Sequence, residues 1–235
     1  IFKLSGLENL SLTENGVDSE IFIQKYNFYE NDKFNIGFSG NANNHDWRKG
    51  FSEFIIPASE IENVNLVYAS NLGDNLIKLN EMPKFYNKLD AYICASSSEG
   101  FSLSVLEACA TGIPVISTKV GGCEDLIQDN YNGFLVDRDV NAIKEKIQFL
   151  KENPNINIDM GKNNRKTIEN YWSWETKVEA WINFIKSCLF IFGFSAIILT
   201  SRLFIKKPFS NNLFLQKIIN LEESAFFHFL SLFGK

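Results

Sequence analysis

Between residues 90 and 117 the chain passes from one apolar run to another through a helix. Residues 90–95 (DAYICA) are followed by a serine-rich turn, an apolar helical stretch over 102–111, then Gly112 and Pro114 before residues 115–117. A short run that is apolar on successive residues reads as a strand buried on both faces. A glycine closes the helix, and a proline two residues later opens the next strand. Two strands joined through a helix pair in parallel, by a right-handed crossover. The same order recurs along the chain. Strands are predicted at 35–39, 65–69 and 133–136, and helices at 47–56, 124–128, 139–150, 163–171 and 174–186. In the 139–150 helix Ile143, Ile147 and Leu150 share one face. Repetition of this unit predicts an α/β fold, a Rossmann-like doubly wound parallel sheet covered on both faces. One stretch resists: residues 75–79 (NLIKL) look like a strand, yet only about five residues separate them from the strand at 65–69, too few for a parallel crossover. Either a hairpin sits there or one of the two is not a strand.

Inside the central unit lie two carboxylates eight residues apart. Glu99 falls in the turn after the buried strand, and Glu107 sits two turns into the following helix. Folds of this class bind ligands beyond the carboxyl ends of their strands, which is where the Glu99 turn lies. The N–H groups of the first helical turn point into the same space and favour an anion. Acceptors for hydroxyls beside donors for phosphate are what a sugar nucleotide needs. Glu107 is flanked by Leu106 and Ala108 in an apolar helix, so its carboxylate requires a partner.

Composition narrows the classes. With 235 residues the chain can bury one sizeable core, and its net charge of −5 gives no support for a nucleic-acid partner. Cys94, Cys109, Cys123 and Cys188 include no C-x-x-C pair, so neither a zinc site nor a redox motif is indicated, and buried reduced thiols fit a reducing compartment. The chain starts at Ile1 without a signal peptide and is read as a fragment. Residues 188–235 differ from the rest. They are rich in Phe, Leu and Ile and hold five basic residues (Arg202, Lys206, Lys207, Lys217, Lys235) against Glu222 and Glu223. A boundary is placed near Ser187.

The run EGFSLSVLEACATGIPVISTKVGGCEDLI resembles the donor-binding half of the retaining glycosyltransferases of family 4, which have the GT-B fold. The Glu, seven residues, Glu signature of that family is matched by Glu99 and Glu107. Gly112 and Pro114, Gly121-Gly122, and Asn132-Gly133 follow in the family's order. Asn15-Gly16-Val17-Asp18 resembles its interdomain NGVD segment, and Trp172-Ser173-Trp174-Glu175 its closing aromatic segment. The similarity covers roughly residues 8–186. It implies that Glu107 takes the ribose hydroxyls and Glu99 the hydroxyls of the transferred sugar. Backbone N–H groups of Gly100 and Phe101 would face the sugar and those near Ser104 and Val105 the diphosphate, with Ser102 in the same binding set. In the glycine loop from Gly40 to Gly50, Lys49 matches the family's basic residue, with Arg48 beside it. Asn41 departs from the family, where a second basic residue is usual, and Arg48 is the candidate to compensate. Lys49 and Glu99 are thus the candidate catalytic pair; no metal and no cofactor are expected, the donor being a nucleoside-diphosphate sugar.

The resemblance further implies a linker remnant at 1–30, the nucleotide-sugar-binding domain at 31–187, and an acceptor domain before residue 8 that this chain does not contain. Alone, the chain would bind donor weakly and turn over little. A glycan or lipid-linked acceptor, and a cytoplasmic location at the inner face of the membrane, are the usual setting. The helical tail at 188–235 is open to three readings: a membrane contact, a packed extension, or a piece foreign to the domain. Other functional readings are a non-catalytic nucleotide-sugar-binding module and a GT-B nucleotide-sugar epimerase. Asp137-Arg138-Asp139 is a D-x-D sequence, but it precedes a helix, and Asp139 is read as its N-cap instead of a metal ligand. His45 is placed in a polar loop facing water. Ser97 and Ser102 lack the surroundings of a hydrolase nucleophile, and Gly121-Gly122 lacks the spacing of a dinucleotide fingerprint.

Overall fold

The computed structural model describes residues 13–24, 33–70 and 75–192. Five strands form one wholly parallel sheet in the order β2-β1-β3-β4-β5: β1 Phe34–Gly40, β2 Val64–Ser70, β3 Ala91–Cys94, β4 Val115–Thr118 and β5 Gly133–Val136. The predicted doubly wound α/β architecture is the one observed. The segment at 75–79 is not a strand: residues 75–78 are irregular and a 3-10 turn, Leu79–Glu81, leads into helix α3, Met82–Tyr86.

Both faces of the sheet are buried, and β3 shows why its sequence reads as continuously apolar. Tyr92 and Cys94 pack on one side with Val105, Leu106, Leu126, Ile168 and Trp172. Ala91, Ile93 and Ala95 pack on the other with Ile55, Phe134, Ile143, Ile147 and Leu150. Helix α4, Leu103–Ala110, and α5, Cys123–Leu126, supply the first layer, and α6, Val140–Glu152, supplies much of the second. Asp139 caps α6 as expected, its carboxylate accepting from the Asn141 and Ala142 N–H groups. Helix α7, Pro154–Thr167, begins nine residues before the predicted helix and runs into a π-helical turn, Ile168–Trp172.

The first helix also differs from expectation. Helix α1 spans Ala42–Lys49, so most of the predicted glycine loop is helical, with a kink at His45, which is exposed. Gly50 then breaks the path with φ +69, and a π-helical turn, Phe51–Ile55, leads to the short helix α2, Ile56–Ala58. A single helix over 47–56 is excluded by that left-handed residue.

The described residues fall into two compact units, one of them Asn15–Thr176. Within it the NGVD segment pairs with the closing aromatic segment: Val17 N–H donates to Trp172 O at 2.9 Å and Trp174 N–H to Val17 O at 3.1 Å. Val17 and Phe22 enter the core, and Arg165 donates to the carbonyls of Ser19, Phe22 and Ala110. Helix α8, Trp174–Phe192, continues into the second unit, where Lys177 pairs with Glu14 at 2.5 Å. No helix among the described residues is long and apolar enough to cross a membrane. The tail expected at 188–235 lies outside the described residues beyond Phe192.

The N-terminal edge of the sheet carries a titratable strain. Asp90 accepts from the Asn35 N–H at 2.6 Å, but burial outweighs that bond and pushes its carboxyl up to about 6. The folded state therefore holds a proton that the unfolded chain releases near pH 4, and stability falls as pH rises from about 4 through 6. Asp90→Asn is expected to gain about 1–2 kcal/mol in urea unfolding at pH 7.5, with the gain vanishing by pH 4.

Candidate functional site

In strand order β2-β1-β3, the chain leaves β1 in one direction to form β2 and then crosses to the other side of β1 to form β3. The loops after β1 and β3 therefore diverge, and a crevice opens at their carboxyl ends. Strand β1 delivers Ser39 and Gly40 to this point, α1 follows with Arg48 and Lys49, and β3 delivers the turn from Ser96 to Gly100.

Glu99 lies at the centre. Lys49 Nζ and Ser96 Oγ donate to its Oε1 at 2.5 and 2.6 Å. Arg48 Nη1 reaches Oε2 at 3.3 Å and the Ser98 carbonyl at 3.1 Å. The Glu99 side chain is 9% exposed and that of Lys49 16%. Burial by itself would raise the Glu99 carboxyl; hydrogen bonds from Lys49 and Ser96 and the charges of Lys49 and Arg48 outweigh it and hold the group below the ordinary range. One carboxylate balances only one of two cations, so the cluster keeps a positive excess that an anionic ligand would complete. Gly40 borders it, for a Cβ there would stand 3.7 Å from Lys49 Cε.

Glu107 occupies a different environment. It projects from α4, accepts from Tyr86 Oη at 2.7 Å, and is pushed above the ordinary carboxylate range by burial, against the opposing effect of that bond. Tyr86 in turn meets Ser39 Oγ at 3.1 Å, one residue from Gly40. The two carboxylates thus flank the end of β1. Ser102 is the N-cap residue of α4, but its hydroxyl caps no N–H and lies 3.0 Å from that of Ser104. Among the described residues the Gly100, Phe101 and Ser104 N–H groups donate no hydrogen bond, whereas the Val105 N–H is taken by the Ser102 carbonyl at 3.2 Å. Of the two helix-mouth donors expected from sequence, Ser104 keeps its N–H and Val105 does not. The Phe101 ring packs on Trp172, centroids 4.9 Å apart, which leaves its backbone as the part that serves the crevice.

Backbone contacts bring these loops together. A Cβ on Gly121, at φ +47, would stand 2.1 Å from the Glu99 carbonyl, so only glycine admits the loop after β4 against the Glu99 turn. Gly50 also stands close to the end of β3, its Cβ position 2.7 Å from the Ala95 carbonyl, and Ser97 N–H donates to Arg48 O at 2.7 Å. Arg138 fastens this contact. Its Nε donates to Ala95 O and its Nη2 to Trp47 O, both at 2.9 Å, and its guanidinium lies 4.3 Å from the Phe54 ring centre. Sequence reasoning weighed the Asp137-Arg138-Asp139 run only for its acids and missed the arginine between them. It also missed Tyr86, Ser39 and Tyr92, which carry no signal beyond that of buried strand and helix residues. Asp137 is exposed and lies 3.7 Å from Lys119.

Residues 62–167 match the family model described as Glycosyl transferases group 1. The chain is 29% identical over 195 residues to the capsular polysaccharide biosynthesis glycosyltransferase CapM of Staphylococcus aureus, covering 72% of this chain and 51% of CapM. Among solved structures it resembles the C-terminal domain of LpcC, a glycosyl transferase group 1 family protein from Francisella tularensis, with TM-score 0.57 and 23% identity over 67% of this chain and 99% of that one. It also resembles Anabaena HepE solved in complex with UDP, with TM-score 0.68 and 17% identity over 79% and 60% of the two chains. Residues 62–167 are thus similar to glycosyltransferase group 1 domains, and the solved structures share the Rossmann-like fold. The chain spans about half, or less, of the length of the curated relatives it matches.

Arg138→Ala removes two hydrogen bonds and a ring contact that join α1 to β3. Denaturant unfolding should show a loss of about 2–3 kcal/mol, which Arg138→Lys does not restore because an ammonium cannot fork to two carbonyls.

Proposed function

We propose that this chain is the donor-binding half of a retaining glycosyltransferase of family 4. The complete enzyme would transfer a sugar from a nucleoside-diphosphate sugar to a hydroxyl of a glycan or lipid-linked acceptor, in polysaccharide or glycolipid synthesis at the cytoplasmic face of the membrane. The observation that carries this reading is the cluster of Lys49, Arg48 and Glu99 at the topological switch point, flanked by Glu107 on α4. The similarity to CapM, a capsular polysaccharide biosynthesis glycosyltransferase, and to HepE, solved with UDP, supports it.

In this reading Glu107 accepts the ribose hydroxyls, since a two-oxygen carboxylate suits a diol. Glu99 accepts hydroxyls of the transferred sugar, together with the Gly100 and Phe101 N–H groups. Lys49, Arg48 and the Ser104 N–H at the α4 mouth hold the diphosphate. The bond from the anomeric carbon to the phosphate oxygen breaks, and its electron pair leaves on the diphosphate. The acceptor oxygen then bonds to the same face of the oxocarbenium-like centre, and its proton passes to the departing phosphate oxygen. Fixed charge that is already in place when the diphosphate departs lowers the barrier without reorganisation, and this is the largest contribution expected. Residues of a preceding acceptor domain would complete the site, so the chain on its own should bind donor but transfer little.

Calorimetric titration with UDP, GDP and ADP should give binding by at least one of them. Lys49→Ala and Glu107→Gln should each weaken that binding about tenfold or more, the loss of a charge-assisted contact. Sugar transfer should appear only when the preceding segment of the protein is joined to the chain. Absence of binding by all three nucleotides at millimolar concentration overturns the reading. Binding with no transfer in the joined protein favours a non-catalytic nucleotide-sugar module, and conversion of the sugar nucleotide without any acceptor an epimerase.

A further inference from the structure

A set of hydroxyl groups, none of them among the expected site residues, joins Glu107 to the end of β1. Tyr86 Oη donates to Glu107 Oε2 at 2.7 Å. Ser39 Oγ lies 3.1 Å from Tyr86 Oη and 3.0 Å from Tyr92 Oη, and the Ser39 N–H donates to Tyr92 Oη at 3.1 Å.

The direction of the chain follows from the acceptor at its end. An ionised carboxylate only accepts, so the Tyr86 proton goes to Glu107. Tyr86 oxygen must then accept from Ser39 Oγ, while the Tyr92 hydroxyl has both Ser39 Oγ at 3.0 Å and the Ser39 carbonyl at 3.3 Å to donate to. The Tyr86 and Ser39 hydroxyls are oriented by the charge on Glu107. The Tyr86 ring cannot turn away: it is fully buried, with Phe22, Phe85 and Tyr92 ring centres 5.9, 5.1 and 5.8 Å from its own. Glu107 itself stays partly exposed, and among the described residues its Oε1 has no partner.

We infer that Tyr86 is a positioning residue that anchors Oε2 of Glu107, leaving Oε1 as the oxygen offered to a ligand diol, and that it thereby sets the preference for ribonucleotides over 2′-deoxyribonucleotides. The inference rests on the proposed role of Glu107 at the ribose. A freely rotating carboxylate would spread its acceptors over many directions, while an anchored one loses a defined bond when the 2′-hydroxyl is missing. A merely structural Tyr86 would alter the affinity for both nucleotides alike.

The test is calorimetric binding of UDP, GDP and ADP, and of their 2′-deoxy counterparts, to the 235-residue chain and its variants. The unaltered chain should prefer the ribonucleotide about tenfold. Tyr86→Phe should bring that ratio toward one while affinity for the deoxynucleotide changes less than about twofold, and in a Glu107→Gln background it should leave the ratio unmoved. Ser39→Ala, a smaller change that keeps the fold if the tyrosine variant does not, should lower the ratio in the same direction by loosening Tyr86. A ratio that stays at its original value in Tyr86→Phe, or in Ser39→Ala where the former does not fold, overturns the inference and leaves the role of Glu107 standing. A ratio of one in the unaltered chain, or no binding by any nucleotide, defeats the role of Glu107 and the inference with it.

Discussion

Glu99 is held between Lys49 and Arg48 in a nearly closed site, and much of the surrounding structure serves that contact. Removing three charges from water costs more than one Coulombic pair returns, unless further hydrogen bonds satisfy what is left. Ser96 Oγ supplies one such bond to Glu99, and the Ser98 carbonyl takes an Arg48 N–H. The backbone must also come unusually close. The left-handed Gly50 lets the end of α1 approach β3, Gly121 lets the loop after β4 lie on the Glu99 carbonyl, and Arg138 ties the α1 end to β3 through two backbone oxygens. Truncating any one partner would strand a charge. The arrangement makes little sense as a source of stability alone, and good sense as a site whose leftover positive charge waits for an anion.

The topology explains why these groups meet at all. Lys49 and Glu99 are fifty residues apart, on the helix and the turn that follow neighbouring parallel strands at the same end. The reversal of strand order between β1 and β3 is what separates the crossovers and opens room between the loops. Helix α4 then acts twice, presenting N–H groups at its mouth and Glu107 little more than one turn in. Its opposite face is pinned in the core by Val105, Leu106, Ala108 and Cys109, so the carboxylate is borne on a rigid element.

How much of this could be read from sequence depends on the range of each interaction. The strands, α4, α6 and its Asp139 cap, and the Glu99 and Glu107 pair are written in local patterns. Helix α7 is not, because its inward face carries Asn157, Gly161, Asn164 and Thr167 beside a single apolar residue, Met160: Asn157 donates to Asp90 O, and Asn164 to Ile113 O and Asn132 O. Hydrophobic periodicity is blind to such a face. Arg138 reaches carbonyls 43 and 91 residues away and meets them through backbone atoms, which leave no trace in side-chain identity. Tyr86 is a core residue whose hydroxyl alone gives it a second role. Helix α1 was placed too late because Gly50 falls inside the span that its apolar residues suggest, and the φ of one residue outweighed the pattern.

The two carboxylates differ in a way that bears on chemistry. Glu99 is kept ionised by two cations, and Glu107 is raised by burial with a phenol as its partner. Environments that push a pair of like groups apart assign them different work. A carboxylate that already accepts from Lys49, Ser96 and Arg48 is a weak base, with few lone pairs to spare for a reacting proton. Its fitted role is to accept hydroxyl hydrogen bonds and to hold the two cations at fixed positions. On the proposed function, chemistry would rest on charge placed in advance and not on a general base from residues 15–176, and the substrate's own departing oxygen or a group from outside those residues would receive any proton that must move.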